Sequence, residues 1–215
     1  GISFAKWPEI EQAPALLNMT LPTVKMTEGI HVMHLFYRVD RMAWDELSPR
    51  ESEAARARLE ALCAANSDAS HPLLRCFANV SGKADLAFWL FHEDLAQLAQ
   101  MHRDLEGCFP PGTIDTVYSY LSVTELTEYQ PTEDDLKARA QREFKLEEGT
   151  PEFEAKLVEL VKWKADYEKF RLYPEMPDWE IMCFYPMLKK RQGEDNWYML
   201  DFDARKKLMR THAVT

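Results

Sequence analysis

The sequence predicts an α+β protein in which strands and helices alternate as β-α-β-β-α-β, the ferredoxin-like arrangement. Three observations support this prediction. Four short apolar runs have strand-like patterns, a capping box with proline at the first helical position opens one helix, and an amphipathic run that stops at Gly107 forms a second. Because these signals all fall within residues 29–130, we expect a first ferredoxin-like domain there.

Each element of this unit has its own local signal. Residues 29–38 are largely apolar or aromatic on both alternating sets of positions, which predicts a strand buried on both faces. Ser48-Pro49-Arg50-Glu51 is the capping box, and the helix it opens should reach about residue 65. The remaining predicted elements are a hairpin of strands at 73–80 and 84–91, a helix at 93–106 and a strand at 116–127.

Three further segments lie outside this unit. Residues 1–28 contain three prolines and little periodicity, so we expect an extended N-terminal arm. Residues 131–170 open on a capping-box pattern and break at Gly149-Thr150-Pro151, which predicts a connector of two helices. This connector either only packs or also covers a ligand pocket or a neighbouring subunit. Residues 171–215 are expected to begin a second ferredoxin-like unit that is incomplete in this chain.

Composition argues against several classes of protein. With 46% hydrophobic and 12% aromatic residues, the 215-residue chain can build a core, and disorder is not expected. A formal net charge of −10 argues against a nucleic-acid partner. No run approaches the roughly 20 apolar residues of a membrane span, and we see no signal peptide. The four cysteines are scattered, with neither zinc nor disulfide spacing, so a cytoplasmic protein is the simplest interpretation.

An apolar and aromatic run at residues 184–188 predicts another strand. Side chains two apart share a strand face, so Tyr185, Met187 and Lys189 are expected on one side. Pro186 has no N–H for a ladder, which favours an edge position. The sequence therefore predicts a strand face that presents a phenol, a thioether and an ammonium.

The next predicted element is a helix that reaches His212. Asp201 is a good N-cap, and Asp203 suits the positive end of the helix dipole. On spacing alone, His212 is either a cap or surface residue or a metal ligand. A lone histidine near a helix end is more often a cap or a surface residue. Together with the preceding strand, however, it could form the wall and axial ligand of a tetrapyrrole site.

Motifs near the C-terminus resemble those of a known family. They are Arg171-Leu172-Tyr173-Pro174-Glu175-Met176-Pro177, Cys183-Phe184-Tyr185-Pro186-Met187 with Lys189 and Arg191, Asn196-Trp197-Tyr198-Met199-Leu200, and Leu208-Met209 with His212. In this order and spacing they resemble the coproheme decarboxylases, the hydrogen-peroxide-dependent haem synthases of the chlorite dismutase superfamily. The resemblance is dense over residues 171–212 and weaker, but in order, over residues 29–129.

The resemblance implies a fold, an activity and an assembly. Members have two ferredoxin-like units per subunit, of the dimeric α+β barrel type, and form ring-shaped homo-pentamers. The implied enzyme converts Fe-coproporphyrin III (coproheme) into haem b by H2O2-dependent oxidative decarboxylation of two propionates through a tyrosyl radical. Coproheme would be both substrate and cofactor, and hydrogen peroxide the oxidant.

The resemblance also assigns roles to individual residues. By it, His212 is the proximal ligand of the iron, Tyr185 is the radical-forming tyrosine, and Lys189 steers the other reactive propionate. Met187 aligns with a residue at the porphyrin edge, and Arg171 and Tyr129 align with propionate-binding positions.

Two alternatives remain at this point. A chlorite dismutase would share the fold and the axial histidine, although the set of Tyr185, Met187 and Lys189 belongs to the decarboxylase branch. A haem-binding or assembly protein of the same fold without activity is the other.

Overall fold

The structure is a computed structural model that describes residues 24–67, 74–176 and 180–214, with side chains up to Arg210. The described residues form two compact units. The sheet unit comprises the residues up to Glu125 together with Arg171–Glu175, and the helical unit comprises Leu126–Phe170 and the residues from Met176 on. Up to residue 23, the predicted N-terminal arm lies outside the described residues.

The sheet unit is built on four antiparallel strands. They are β1 (His31–Val39), β2 (Leu74–Ala78), β3 (Leu86–His92) and β4 (Ile114–Val123). In the sheet their order is β2-β3-β1-β4, so β1 pairs with both β3 and β4. This is the strand order of a ferredoxin-like unit, and it confirms the predicted fold class.

Three helices accompany the sheet: α1 (Arg41–Asp45), α2 (Pro49–Ser67) and α3 (Leu95–Glu106). The predicted capping box is present at α2, where the Ser48 backbone N–H donates to the Glu51 carboxylate at 2.8 Å and the Glu51 N–H donates to the Ser48 hydroxyl at 3.3 Å. The short α1 was not predicted. It begins because the Asp40 carboxylate accepts from the Ala43 N–H at 3.0 Å.

The core of the sheet unit lies between one face of the sheet and helices α2 and α3. The buried members of this cluster are Leu35, Tyr37, Leu74, Phe88, Leu90, Leu98, Met101 and Leu105. The apolar positions of α3 recur at helical spacing, and those of the strands alternate, so each element turns one apolar side toward this layer.

The opposite face of the sheet is also lined by aromatic side chains. His34 is buried against Trp89, with ring centroids 4.8 Å apart in an edge-to-face arrangement, and Phe36 lies 5.7 Å from Tyr118. Burial lowers the pKa of His34, and its hydrogen bond with the Tyr120 carbonyl only partly opposes this. Strand β1 therefore contributes buried residues to both faces, as its sequence predicts.

Replacing Leu98 by alanine tests the position of this core. Because Leu98 is fully buried (0% exposed), the change should lower the free energy of unfolding by about 2–5 kcal/mol in a denaturant titration. Val80→Ala is the matched control, since Val80 is 99% exposed and its loss should change stability by less than about 0.5 kcal/mol. Equal effects of the two substitutions would contradict the packing described.

The helical unit contains α4 (Glu133–Phe144), most of α5 (Pro151–Leu172), a 3₁₀ turn (Trp197–Met199) and α6 (Phe202–Val214). A second core joins α4 and α5. Its buried residues are Leu136, Ala140, Phe153 and Leu160. Two helices thus occupy the segment where the sequence predicts a helical connector. In the part of the chain that the structure describes, no helix is both long and apolar enough to cross a membrane.

The strand predicted at residues 184–188 is wrong. The described residues 180–191 adopt no regular secondary structure. A strand needs a neighbour to satisfy its backbone groups, and the described residues of the helical unit contain no other strand. Pro186 also lacks an N–H for any ladder. The apolar pattern alone therefore predicted a strand that is absent. The described residues of the helical unit form helices and no sheet.

Candidate functional site

Helix α6 forms where the sequence predicts it. The Asp201 carboxylate accepts from the Ala204 N–H at 2.8 Å, and the helix then runs from Phe202 to Val214. His212 therefore lies in the last turn of α6. Its side chain is outside the described part of the structure, so its role as an iron ligand stays a prediction.

The first turns of α6 contact the segment that precedes α4. Arg205 forms an ion pair with Glu128, with 3.3 Å between the guanidinium nitrogen and the carboxylate oxygen. One turn earlier, the ring of Phe202 lies 5.2 Å from that of Tyr129. These two contacts hold Tyr129, one of the predicted propionate-binding residues, against the helix that contains His212.

Asp135 connects α6 to the start of α4. Its carboxylate accepts from the Thr132 N–H at 3.0 Å in the predicted capping box and also pairs with Lys206 at 3.3 Å. The hydrogen bond from the Thr132 backbone is the main cause that holds the pKa of Asp135 below its usual value, and Lys206 adds to it. The carboxylate is therefore ionised at neutral pH and serves as cap and as ion-pair partner together.

Several polar atoms near these contacts are shielded from solvent without a hydrogen-bond partner of good geometry among the described residues. In the helical unit they are the Tyr129 hydroxyl, both amide atoms of Gln130 and the Nε of Arg205. Polar groups that are shielded from solvent in folded proteins nearly always have a hydrogen-bond partner, so these atoms need an explanation. A bound ligand that accepts hydrogen bonds is one such explanation.

The chemistry of these atoms suits a carboxylate. Burial, and then a hydrogen-bonding interaction with the carboxylate of Glu128, raises the pKa of Tyr129, so its phenol remains a protonated donor at neutral pH. The unpaired atoms also include a guanidinium N–H of Arg205 and the amide N–H of Gln130, and a carboxylate only accepts hydrogen bonds. Gln130 and Arg205 were not predicted from the sequence as site residues. The seven-residue spacing from Arg205 to His212, which puts both positions on one side of a helix, was the signal available.

The irregular segment at residues 180–191 contacts α6 through Lys189. The Lys189 ammonium lies 3.5 Å from the Met209 sulfur and 4.4 Å from the centre of the Trp197 ring. Met209 precedes His212 by three residues. Tyr185 and Met187, which the sequence placed on the same face as Lys189, are 69% and 72% exposed on the irregular segment, so the shared strand face is absent.

Arg171 lies in the last turn of α5, is exposed and belongs to the sheet unit. Its neighbours attach this short segment to the sheet. The Leu172 carbonyl accepts from the Thr124 hydroxyl at 2.7 Å, and the Tyr173 hydroxyl accepts from the Gly29 N–H at 3.2 Å. Gly29 has φ +79°, and a Cβ there would lie 2.6 Å from the Thr124 hydroxyl, so this close approach requires glycine.

Comparisons with known proteins agree with this fold. The family model for chlorite dismutase matches residues 52–215. A solved haem-binding protein from Thermus thermophilus is 30% identical, with 89% of this chain and 67% of that chain covered and a TM-score of 0.64. A variant of the chlorite dismutase from Candidatus Nitrospira defluvii shares the fold at 15% identity, with 87% and 64% covered and a TM-score of 0.50. This chain spans about two thirds of the length of these structures. It belongs to the chlorite dismutase family.

Proposed function

We propose that this protein binds an iron porphyrin and acts as a coproheme decarboxylase. The observation that supports it most directly is that the Tyr129 hydroxyl, the Gln130 amide and the Nε of Arg205 are shielded from solvent without a hydrogen-bond partner of good geometry among the described residues. Tyr129 and Arg205 lie at the helix that contains His212. A similar protein from Thermus thermophilus is described as haem-binding, which agrees with the proposal.

A porphyrin with propionates satisfies two requirements at once. Its carboxylates would accept from the Nε–H of Arg205, which has no partner among the described residues, and from the Tyr129 phenol, whose interaction with Glu128 is not a hydrogen bond of good geometry. Its iron would bind the imidazole of His212 in the last turn of α6. Lys189 contacts α6 one turn before that position, which suits its proposed role of steering a second propionate.

The residues of this chain have distinct tasks in the proposed reaction. Bound iron supplies the reduction of hydrogen peroxide to water. Tyr185 gives up its phenolic hydrogen and then takes one from a propionate side chain, which loses CO2 and a further electron to become a vinyl group. For each propionic acid, one H2O2 is consumed and one CO2 and two H2O form, so atoms and electrons balance. Met187 and Arg171 are proposed to contact the porphyrin edge and a propionate.

The direct test adds hydrogen peroxide stepwise to the protein loaded with Fe-coproporphyrin III and follows the porphyrin by mass spectrometry. We expect loss of CO2 and two hydrogens twice, which gives haem b. Coprohaem with peroxide but no protein, and loaded protein without peroxide, are the controls.

The alternatives give different results in the same experiment. An unchanged porphyrin together with oxygen evolution from added chlorite would replace the proposal by a chlorite dismutase. Stable porphyrin binding with neither reaction would identify a non-catalytic haem-binding protein.

A further inference from the structure

Three polar side chains from a strand and a helix of the sheet unit converge beside its core. The Tyr37 hydroxyl on β1 lies 2.9 Å from Nε2 of His102. Oε1 of Glu106 lies 3.3 Å from that Nε2 and 3.4 Å from the hydroxyl. Because His102 and Glu106 are four residues apart on α3, the same side of the helix presents both. The three side chains therefore form a compact triangle of one nitrogen and two oxygen atoms.

The core holds the backbone on both sides of this triangle. Tyr37 is fully buried, and its ring packs edge-to-face against Phe88 with 5.8 Å between the centroids. Helix α3 is anchored by the buried side chains of Leu98 and Leu105. Side chains that a sheet and a packed helix hold in place need little further ordering to bind a ligand, which lowers the cost of binding.

Solvent reaches the triangle from one side. The side chains of His102 and Glu106 are 28% and 48% exposed. A cleft opens beside them, and it is lined by Tyr37, Glu106, Thr116 and the turn at residues 110–112. Among the residues that the structure describes, no Lys or Arg forms an ion pair with Glu106. A small cation can therefore reach a carboxylate that no permanently charged side chain neutralises.

We propose that His102 and Glu106 bind a divalent first-row metal ion such as Zn2+, with Tyr37 supporting the carboxylate. Two ligands of a tetrahedral zinc ion with bonds of about 2.0–2.1 Å are about 3.3–3.4 Å apart, and the observed separation of Nε2 and Oε1 is 3.3 Å. On binding, Nε2 gives its lone pair to the ion while Nδ1 carries the ring proton, and water fills the remaining positions. An imidazole with a carboxylate suits Zn2+ better than Mg2+ or Ca2+, which prefer oxygen ligands. This proposal does not depend on porphyrin binding.

Tyr37 acts as a positioning residue for the carboxylate and does not bind the ion itself. Burial is the main cause that raises the pKa of Tyr37 to about 12, so the phenol keeps its proton at neutral pH. With Nε2 bound to the ion, the phenol donates to Glu106, and hydrogen bonds of this kind orient a metal ligand. No three His, Cys, Asp or Glu side chains form a metal-binding group in the described part of the chain. The proposed site therefore has two protein ligands, and its affinity depends on this support.

The test titrates zinc chloride into the reduced, porphyrin-free protein. Nuclear magnetic resonance of the labelled imidazoles should show a saturable change at Nε2 of His102, and equilibrium dialysis measures the affinity. In His102→Gln and Glu106→Gln, which keep a hydrogen-bonding group near the phenol, the affinity of this site should fall by at least roughly tenfold. Glu60→Gln is the matched control, because it removes the same charge from an exposed position of α2 and should leave the affinity unchanged. Free thiols also bind zinc, but all of these variants retain the four cysteines.

Tyr37→Phe tests the supporting role of the phenol. Phenylalanine keeps the ring in the core, so the His102 resonances should still change at saturating zinc, but the affinity should fall by roughly tenfold or more. Unchanged affinity in Tyr37→Phe would overturn the role of the phenol. Zinc that leaves the His102 resonances unaltered, or an affinity that neither His102→Gln nor Glu106→Gln changes, would overturn the metal site and identify the triangle as an ion pair within the fold.

Discussion

Tyr185→Phe is expected to bind Fe-coproporphyrin III normally while its decarboxylation falls on the order of a hundredfold or more, which corresponds to about 2.7 kcal/mol in activation free energy. Phenylalanine keeps the ring but has no O–H from which a radical can form. Tyr185 is exposed, so the change should leave the free energy of unfolding within about 0.5 kcal/mol of the wild-type value. Single-turnover assays with peroxide, read by porphyrin mass, measure the effect.

Tyr198→Phe is the matched control. Tyr198 is another exposed tyrosine of the helical unit, and its ring lies under the Arg191 guanidinium, 4.6 Å from the centroid. This variant should retain the wild-type rate. Wild-type turnover in Tyr185→Phe would reject the radical role of Tyr185. It would not contradict the proposal that the protein binds a porphyrin. An equal loss in both variants would indicate a general effect on the helical unit.

His212→Ala is expected to produce the largest change in iron binding. Loss of the axial imidazole should weaken the affinity for ferric coprohaem by at least the roughly 10–100-fold seen when groups that only support a metal ligand are removed. It should also shift the Soret band, because the axial ligand sets the electronic state of the iron. The carboxylate contacts through Tyr129 and Arg205 would remain, so residual binding of the porphyrin is expected.

The control for the histidine is Arg210→Ala, an exposed position of the same helix. This substitution keeps the helix and should preserve both the affinity and the Soret band. Addition of free imidazole to His212→Ala should restore the wild-type spectrum. A wild-type spectrum in His212→Ala without added imidazole would exclude this residue as the ligand, whatever the fate of the decarboxylation assay.

The sheet unit could be predicted almost completely from the sequence. Its strands alternate in polarity or are apolar throughout, the capping box at Ser48 marks the start of α2, and the amphipathic pattern before Gly107 marks α3. These signals are local, because each element forms its own backbone contacts or caps within a few residues. The short helix α1 was missed because a single Asp40 cap opens only five residues, too few for a periodic pattern.

The candidate site was harder to predict, and the strand at residues 184–188 shows why. Alternating apolar residues indicate which side chains a strand would bury. The strand itself forms only where a neighbouring strand pairs with its backbone N–H and C=O groups. Lys189 contacts α6, whereas Tyr185 and Met187, which were predicted on the same strand face, are exposed. The resemblance to a family indicated Tyr129, whereas Arg205 had only its seven-residue spacing from His212 as a signal and Gln130 had none.

Local sequence was enough to predict the order of the elements, the N-cap of α6 at Asp201 and the cap at Thr132. Caps and periodicity act over only one or two turns. The pairing of Arg205 with Glu128 was determined only by packing. These two residues are separated by 77 positions along the chain, and such a contact depends on how a whole helix lies against the segment that it packs on. Burial also depends on packing, and it shields the Tyr129 hydroxyl from solvent with no hydrogen-bond partner of good geometry among the described residues, which makes this hydroxyl a candidate donor to a carboxylate.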